Sequence, residues 1–294
     1  MIISASRRTD IPAFYSEWFI NRIQEGYFIS VNPFNPCQRK KISLLPEDVD
    51  AIVFWSKYPK PIEPYFSFLD NSGYHYYIQF TLNHYPELFE ARMPPLVERI
   101  ATFRRIGEKL GPGKLVWRYD PIIVSNITPP EYHLETFSRL ANQLSGYTHR
   151  VSISFLDIYQ RVETFLKKHP ELKLTDIFNG EHKECFDKLV NGIADIAAKN
   201  KIPIYSCAEV GLAQSGIRQG SCIDVDLINQ LFDLNLQVKR DRSQRPECRC
   251  VSSVDVGVYG TCQFACNYCY ANRNEDAVNQ NILRYNPKSS TLIG

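Results

Sequence analysis

A TIM-like α/β barrel, with parallel strands joined by crossover helices, is the fold this sequence predicts. Three observations carry that expectation. Short apolar runs of strand length recur along the chain, segments with apolar residues at helical spacing alternate with them, and 294 residues suit one barrel. No repeat at a solenoid period and no low-complexity linker divides the chain, so residues 1–294 read as a single domain in which segment 248–272 is rich in cysteine.

Ile2-Ile3-Ser4-Ala5-Ser6 opens the alternation as a short strand. Thr9 or Asp10 caps the helix that follows, with Pro12 near its first turn, where a missing N–H costs little. Phe14, Trp18, Ile20 and Ile23 recur at roughly helical spacing, and Gly26 suits the stop. The apolar runs 51–55 and 76–82 are the next strands, and residues 96–110 form a helix entered through Pro94-Pro95 and left through Gly111-Pro112-Gly113. A strand over 115–118, a helix over about 131–144 and a strand over 151–155 follow. Residues 183–199 place Phe186, Leu189, Val190, Ile193 and Ile196 on one helical face and lead into a strand over 202–207. The last strand, 254–259, alternates Val254, Val256 and Val258 with Asp255 and Gly257.

In a barrel of this kind the residues just past each strand gather at one mouth. Arg8, Arg118, Asp120 and Glu209 are the candidate catalytic or substrate-orienting side chains on that ground, beside Ser56-Lys57 and His84. Each also has a structural reading. Arg118 and Asp120 suit an internal ion pair, Arg7, Arg8 and Asp10 a solvated helix start, and His84 a plain loop residue.

The formal net charge of +2 is too mild to mark a nucleic-acid-binding surface, although it does not exclude one. The first residues lack a long apolar core of the signal-peptide kind, and no apolar run reaches membrane-spanning length. The expectation is a cytoplasmic protein with no membrane partner. A reducing compartment keeps its nine cysteines as thiols or metal ligands.

Those cysteines carry the chemistry. Cys262, Cys266 and Cys269 stand in a C-x3-C-x2-C pattern just after the last strand. A [4Fe–4S] cube needs one ligand per iron, so three thiolates leave one iron open to a small molecule. Zinc and incidental core cysteines are the alternatives, but structural zinc sites normally show four ligands. Cys207, Cys222, Cys248 and Cys250 make a complete ligand set of their own, for a second iron–sulfur cluster, a zinc ion or no metal; Cys37 and Cys185 are spare.

The segments Ser4-Ala5-Ser6-Arg7-Arg8-Thr9-Asp10-Ile11-Pro12, Phe54-Trp55-Ser56-Lys57-Tyr58-Pro59 and 248–272 resemble a family of unknown function, DUF1848, over nearly the full length. The cysteine loop, with Tyr268 in its aromatic slot, resembles the C-x3-C-x-aromatic-C signature of radical S-adenosylmethionine enzymes. That resemblance implies a cluster whose open iron binds S-adenosylmethionine, Tyr268 beside the cofactor, an unknown substrate, and a small electron donor such as a flavodoxin or ferredoxin. It also implies a circular permutation, because the superfamily's loop follows the first barrel strand and this one follows the last. The superfamily's Gly-Gly-Glu motif would then fall after the first strand, where this chain has Ser6-Arg7-Arg8-Thr9-Asp10. A non-catalytic iron–sulfur carrier or sensor, and a zinc-stabilised binding protein, are the competing readings.

Overall fold

Apolar runs too short to be helices become strands of one sheet. The computed structural model describes residues 1–33, 35–209, 211–272 and 274–294. Its strands are β1 (Ile2–Ala5), β2 (Tyr27–Asn32), β3 (Asn35–Ser43), β4 (Ala51–Ser56), β5 (Tyr76–Thr81), β6 (Leu115–Ile122), β7 (Val151–Phe155), β8 (Ile204–Cys207), β9 (Arg218–Gly220) and β10 (Val254–Asp255). Eight of them form a parallel sheet in the order β10-β1-β4-β5-β6-β7-β8-β9, while β2 and β3 pair as a separate antiparallel hairpin.

The order is sequential except that the last strand lies beside the first, with Ile3 opposite Val254. That places the chain's cysteine loop next to the loop that leaves β1. The two edges are β9 and β10, and among the described residues no ladder joins them.

Parallel strands are covered on both faces, which is why β4 and β7 are apolar or small almost throughout. Alternate residues serve different layers. Ile3, Ile52, Ile78 and Trp117 pack with Phe19, Phe103, Phe137 and Ile193 from α2, α4, α5 and α7 of the helices α1 (Ile11–Phe14), α2 (Ser16–Glu25), α3 (Phe66–Asn71), α4 (Leu96–Leu110), α5 (Pro130–Leu144), α6 (Gln160–Lys168), α7 (Lys183–Lys199), α8 (Val225–Phe232) and α9 (Glu275–Leu283). Ile2, Val53, Tyr77 and Val116 form a second cluster with Ile223 and Ile228 of the α8 (Val225–Phe232) region and with Cys222, Cys248 and Cys250. The second face of the sheet is therefore filled by the segments that carry four of the cysteines.

Helices α4 and α7 and strand β7 occupy the expected residues. The first helical region divides into a short turn, Ile11–Phe14, capped by Asp10, and α2, which ends at Gly26 with φ 75. The strand expected over 254–259 is confined to Val254–Asp255. Asp255 turns its carboxylate onto the backbone N–H of Gly257, and the chain leaves the ladder there. No described helix is long and apolar enough to cross a membrane.

Candidate functional site

The C-terminal ends of β1, β4, β5, β6, β7 and β8, together with the loop after β10, surround a cavity of about 540 Å³. All seven cysteines of the two groups line it, as do Arg8, Arg118, Asp120 and Tyr268. Of the four candidate catalytic side chains, Glu209 alone is not among the described lining residues. Its carboxylate accepts the Phe155 N–H at 3.1 Å, and burial pushes its pKa up.

Asp255 ties the last strand to the first loop. Its carboxylate accepts from Ser4 Oγ at 2.9 Å, from Ser6 Oγ, and from the Arg7 N–H at 2.9 Å. Gly257 permits this approach, because a Cβ there would lie 2.0 Å from Ser6 Oγ. The rest of the first loop is also engaged. Ser6 Oγ accepts from the Arg8 N–H, the Arg7 carbonyl accepts from Tyr270, and Asp10 accepts from the backbone N–H groups of Ala13 and Lys57. Burial pushes the Asp10 carboxyl up to about 6 despite those bonds. Arg8 is held more loosely, with its guanidinium over the Tyr259 ring and 3.5 Å from the Gly257 carbonyl.

The three-cysteine loop closes on itself. The Gly260 N–H donates to the Ala271 carbonyl at 2.8 Å, Asn272 Nδ2 donates to the Cys262 carbonyl at 2.7 Å, and the Cys269 N–H donates to the Cys266 carbonyl at 3.2 Å. Between its cysteines Ala265 takes φ 54, a left-handed conformation that a tight loop imposes on a small residue. Asn267 fastens the outside of the loop to the carbonyls of Leu88 and Phe89. Burial pushes the Cys266 thiol up to about 12 and raises Cys262 well above the ordinary thiol range.

Beneath the loop lies a charged group that sequence reasoning did not find. Lys57 Nζ donates to Glu90 Oε1 at 2.7 Å and to the Tyr268 hydroxyl at 2.8 Å, and that hydroxyl in turn donates to Glu90. Arg99 stands 3.9 Å from the other Glu90 oxygen. Burial alone would raise Glu90, yet Lys57 and Arg99 hold its carboxyl below the usual range. Tyr268, expected beside a cofactor, thus has its hydroxyl fixed in an ion network while its residue lines the cavity. Lys57 was visible as a strand-end residue, but nothing near it in sequence points to Glu90.

The other four cysteines converge on the same cavity. Cys207 ends β8, Cys222 follows β9, and Cys248 and Cys250 precede β10. Cys207 Sγ and Cys222 Sγ are 3.0 Å apart, and contacts continue from Cys222 to Cys250 and from Cys250 to Cys248. All nine cysteines are free. Arg118 Nη1 donates to Cys222 Sγ at 2.7 Å, its Nη2 pairs with Asp120 at 2.5 Å, and its guanidinium lies 5.1 Å from the centre of the Trp55 ring. The expected Arg118–Asp120 ion pair is therefore present, and it faces the cavity rather than being sealed behind it. Cys37 is exposed, Cys185 lies on α7, and the His84 ring meets Arg139, so none of the three joins the site.

Cys262, Cys266 and Cys269 share one self-closed loop whose thiols line the cavity, a donor set of the type that iron–sulfur clusters use. Among the described residues no three His, Cys, Asp or Glu side chains are arranged to hold a single metal ion.

Fold and site together define an α/β protein with a parallel sheet and a cysteine-lined cavity at its strand ends. The family described as "Domain of unknown function (DUF1848)" matches residues 2–271, and the chain belongs to it. Neither the curated proteins nor the solved structures provide a match.

Proposed function

We propose that this protein is an iron–sulfur enzyme of radical S-adenosylmethionine type, acting in the cytoplasm on a substrate held in the cavity. In this reading the sheet is a circularly permuted (β/α) barrel whose cluster loop follows its last strand. One observation carries it: the C-x3-C-x-aromatic-C loop leaves the strand that pairs in parallel with β1, and its three thiols face the cavity at the strands' C-terminal ends. Cys262, Cys266 and Cys269 would hold a [4Fe–4S] cluster, with one iron left for S-adenosylmethionine. When reduced by a flavodoxin- or ferredoxin-like donor, such a cluster supplies the electron that cleaves S-adenosylmethionine.

The chain's own residues bind, orient and exclude water. Phe264 and Tyr268 bury the loop, and the Lys57–Glu90 pair fixes the Tyr268 hydroxyl from below. Arg8 offers guanidinium donors to an anionic or carbonyl group in the cavity, and Arg118 and Asp120 offer a fixed donor and acceptor opposite.

A second reading, a non-catalytic iron–sulfur carrier or sensor, is favoured by the loop after β1. Its N–H and carboxylate groups are spent on Asp255, Ser6, Ala13 and Lys57, where the superfamily would hold the cofactor's amino group. Anaerobically reconstituted, reduced protein is expected to convert S-adenosylmethionine to methionine and 5′-deoxyadenosine. An intact cluster that yields no deoxyadenosine and keeps its spectrum on S-adenosylmethionine addition would establish the carrier instead.

A further inference from the structure

We infer that Cys207, Cys222, Cys248 and Cys250 form a second iron–sulfur site, in which protein thiolates ligate every iron of a [4Fe–4S] cluster. The inference uses none of the side chains assigned to the first cluster and goes beyond the radical reading.

Four cysteines from three separated segments meet on one wall, joined by successive sulfur contacts that begin with the 3.0 Å approach of Cys207 to Cys222. Cys222, Cys248 and Cys250 are buried against Ile2, Val53 and Val116, and with Cys207 they form part of the cavity lining. A disulfide is not the reason for their meeting, since all four are free.

Room separates the two metals. A zinc ion bonded at about 2.3 Å needs its four sulfurs around one point, roughly 4 Å from one another. Cys207 Sγ and Cys222 Sγ, 3.0 Å apart, must part for either metal. A four-iron cube gives each sulfur its own iron and needs space between the thiols, and all four thiols line the cavity of about 540 Å³.

Charge agrees. Four thiolates around a dicationic cluster core leave a net negative group, and two guanidinium groups are already placed for it. Arg118 donates to Cys222 Sγ at 2.7 Å while 6% exposed, and Arg7 lies within electrostatic reach of Cys250 and Cys222. Hydrogen bonds to cluster sulfurs of the Arg118 kind tune reduction potentials. With no iron left open, this second cluster would not respond to S-adenosylmethionine.

The test uses the full chain, reconstituted anaerobically with iron and sulfide, and isolates each site. In a variant with Cys262, Cys266 and Cys269 all changed to Ser, about four iron and four sulfide per chain are expected to remain. The electron paramagnetic resonance signal of that reduced cluster is expected to stay unchanged on adding S-adenosylmethionine. Changing Cys248→Ser with Cys250→Ser, or Cys207→Ser with Cys222→Ser should that pair fold poorly, is expected to remove this cluster and leave the first. A folded triple variant that holds no iron, or holds zinc in its place, would overturn the inference. Failure of the first cluster alone would read differently, as iron and sulfide unchanged between wild type and the triple variant.

Discussion

The two cysteine groups face one cavity but are built in opposite ways. The group of three lies within a single loop, so its spacing is written locally and its backbone bonds close on itself. The group of four is assembled from the end of β8, the loop after β9 and the segment before β10, and only the folded sheet brings it together. Their supports differ too. Under the loop sits a buried charge network, Lys57, Glu90, Arg99 and Tyr268; beside the four sits an apolar cluster with separate ion pairs at its edge, among them Arg118–Asp120, Arg150–Asp224 and Arg7–Asp241. The contrast teaches that a local motif can depend on distant charges, while an assembled site leans mainly on packing.

The largest expected effect breaks the first support. Glu90 has 1% of its side chain exposed and neutralises Lys57 at 2.7 Å. Glu90→Gln leaves the Lys57 ammonium and the Arg99 guanidinium buried without a carboxylate, and removing one partner of a buried pair costs about 4 kcal/mol. Urea denaturation of the apoprotein should show that loss as a lower midpoint at an unchanged slope. A loss under about 1 kcal/mol would mean that the network does not carry the loop.

Acid should act on the other side. Strand β6 presents Arg118 and Asp120 toward the four cysteines, while Tyr119 between them points to the opposite face. There the Tyr119 hydroxyl meets His133 Nδ1 at 2.9 Å, and His133 Nε2 meets the Ile123 carbonyl at 2.9 Å. A carbonyl only accepts, so Nε2 carries a proton, and in the neutral imidazole Nδ1 accepts from the Tyr119 hydroxyl. Burial lowers the His133 pKa to about 4. In the unfolded chain His133 takes up a proton near pH 6.5, so between that value and about pH 4 the unfolded state binds more protons. Stability should therefore fall with pH through this window, by about 3 kcal/mol from this residue alone. The difference in urea midpoint between pH 7 and pH 4 should shrink in His133→Gln, and an identical pH dependence in the two proteins would refute the assignment.

What the sequence made legible follows from the same contrast. The strands with two buried faces announce themselves as apolar runs, and α4, α7 and β7 match residue for residue because both periodicity and boundary residues are local. Strand β9 was not anticipated, since Arg218-Gln219-Gly220 has no apolar pattern, and the hairpin β2–β3 is largely exposed and carries Gln38-Arg39-Lys40-Lys41 in its second strand. Residues 256–259 looked like strand because their valines alternate, but the Asp255 carboxylate takes the Gly257 N–H and draws the chain away. In the site, the three-cysteine loop was legible from spacing and the meeting of the other four from cysteine count. The Lys57–Glu90–Tyr268 network was not, because its members are far apart in sequence and each alone reads as an ordinary polar residue.

The smallest expected effect sharpens the comparison rather than breaking it. Arg118 makes three contacts with one planar group: Asp120 at 2.5 Å, Cys222 Sγ at 2.7 Å and the Trp55 ring at 5.1 Å. Arg118→Lys keeps the positive charge but replaces a fork with a point, so the ammonium can serve Asp120 or Cys222 and not both. Losing one hydrogen bond to a charged group costs about 1.5 kcal/mol. The loss should be well below that of Glu90→Gln, since the packing of Ile2, Val53 and Val116 stays in place. Paired urea titrations of the two variants measure the ratio directly. Equal losses would mean that the four-cysteine wall depends on the Arg118–Asp120 pair as heavily as the loop depends on its network, and the distinction between a packed site and a charge-supported one would fall.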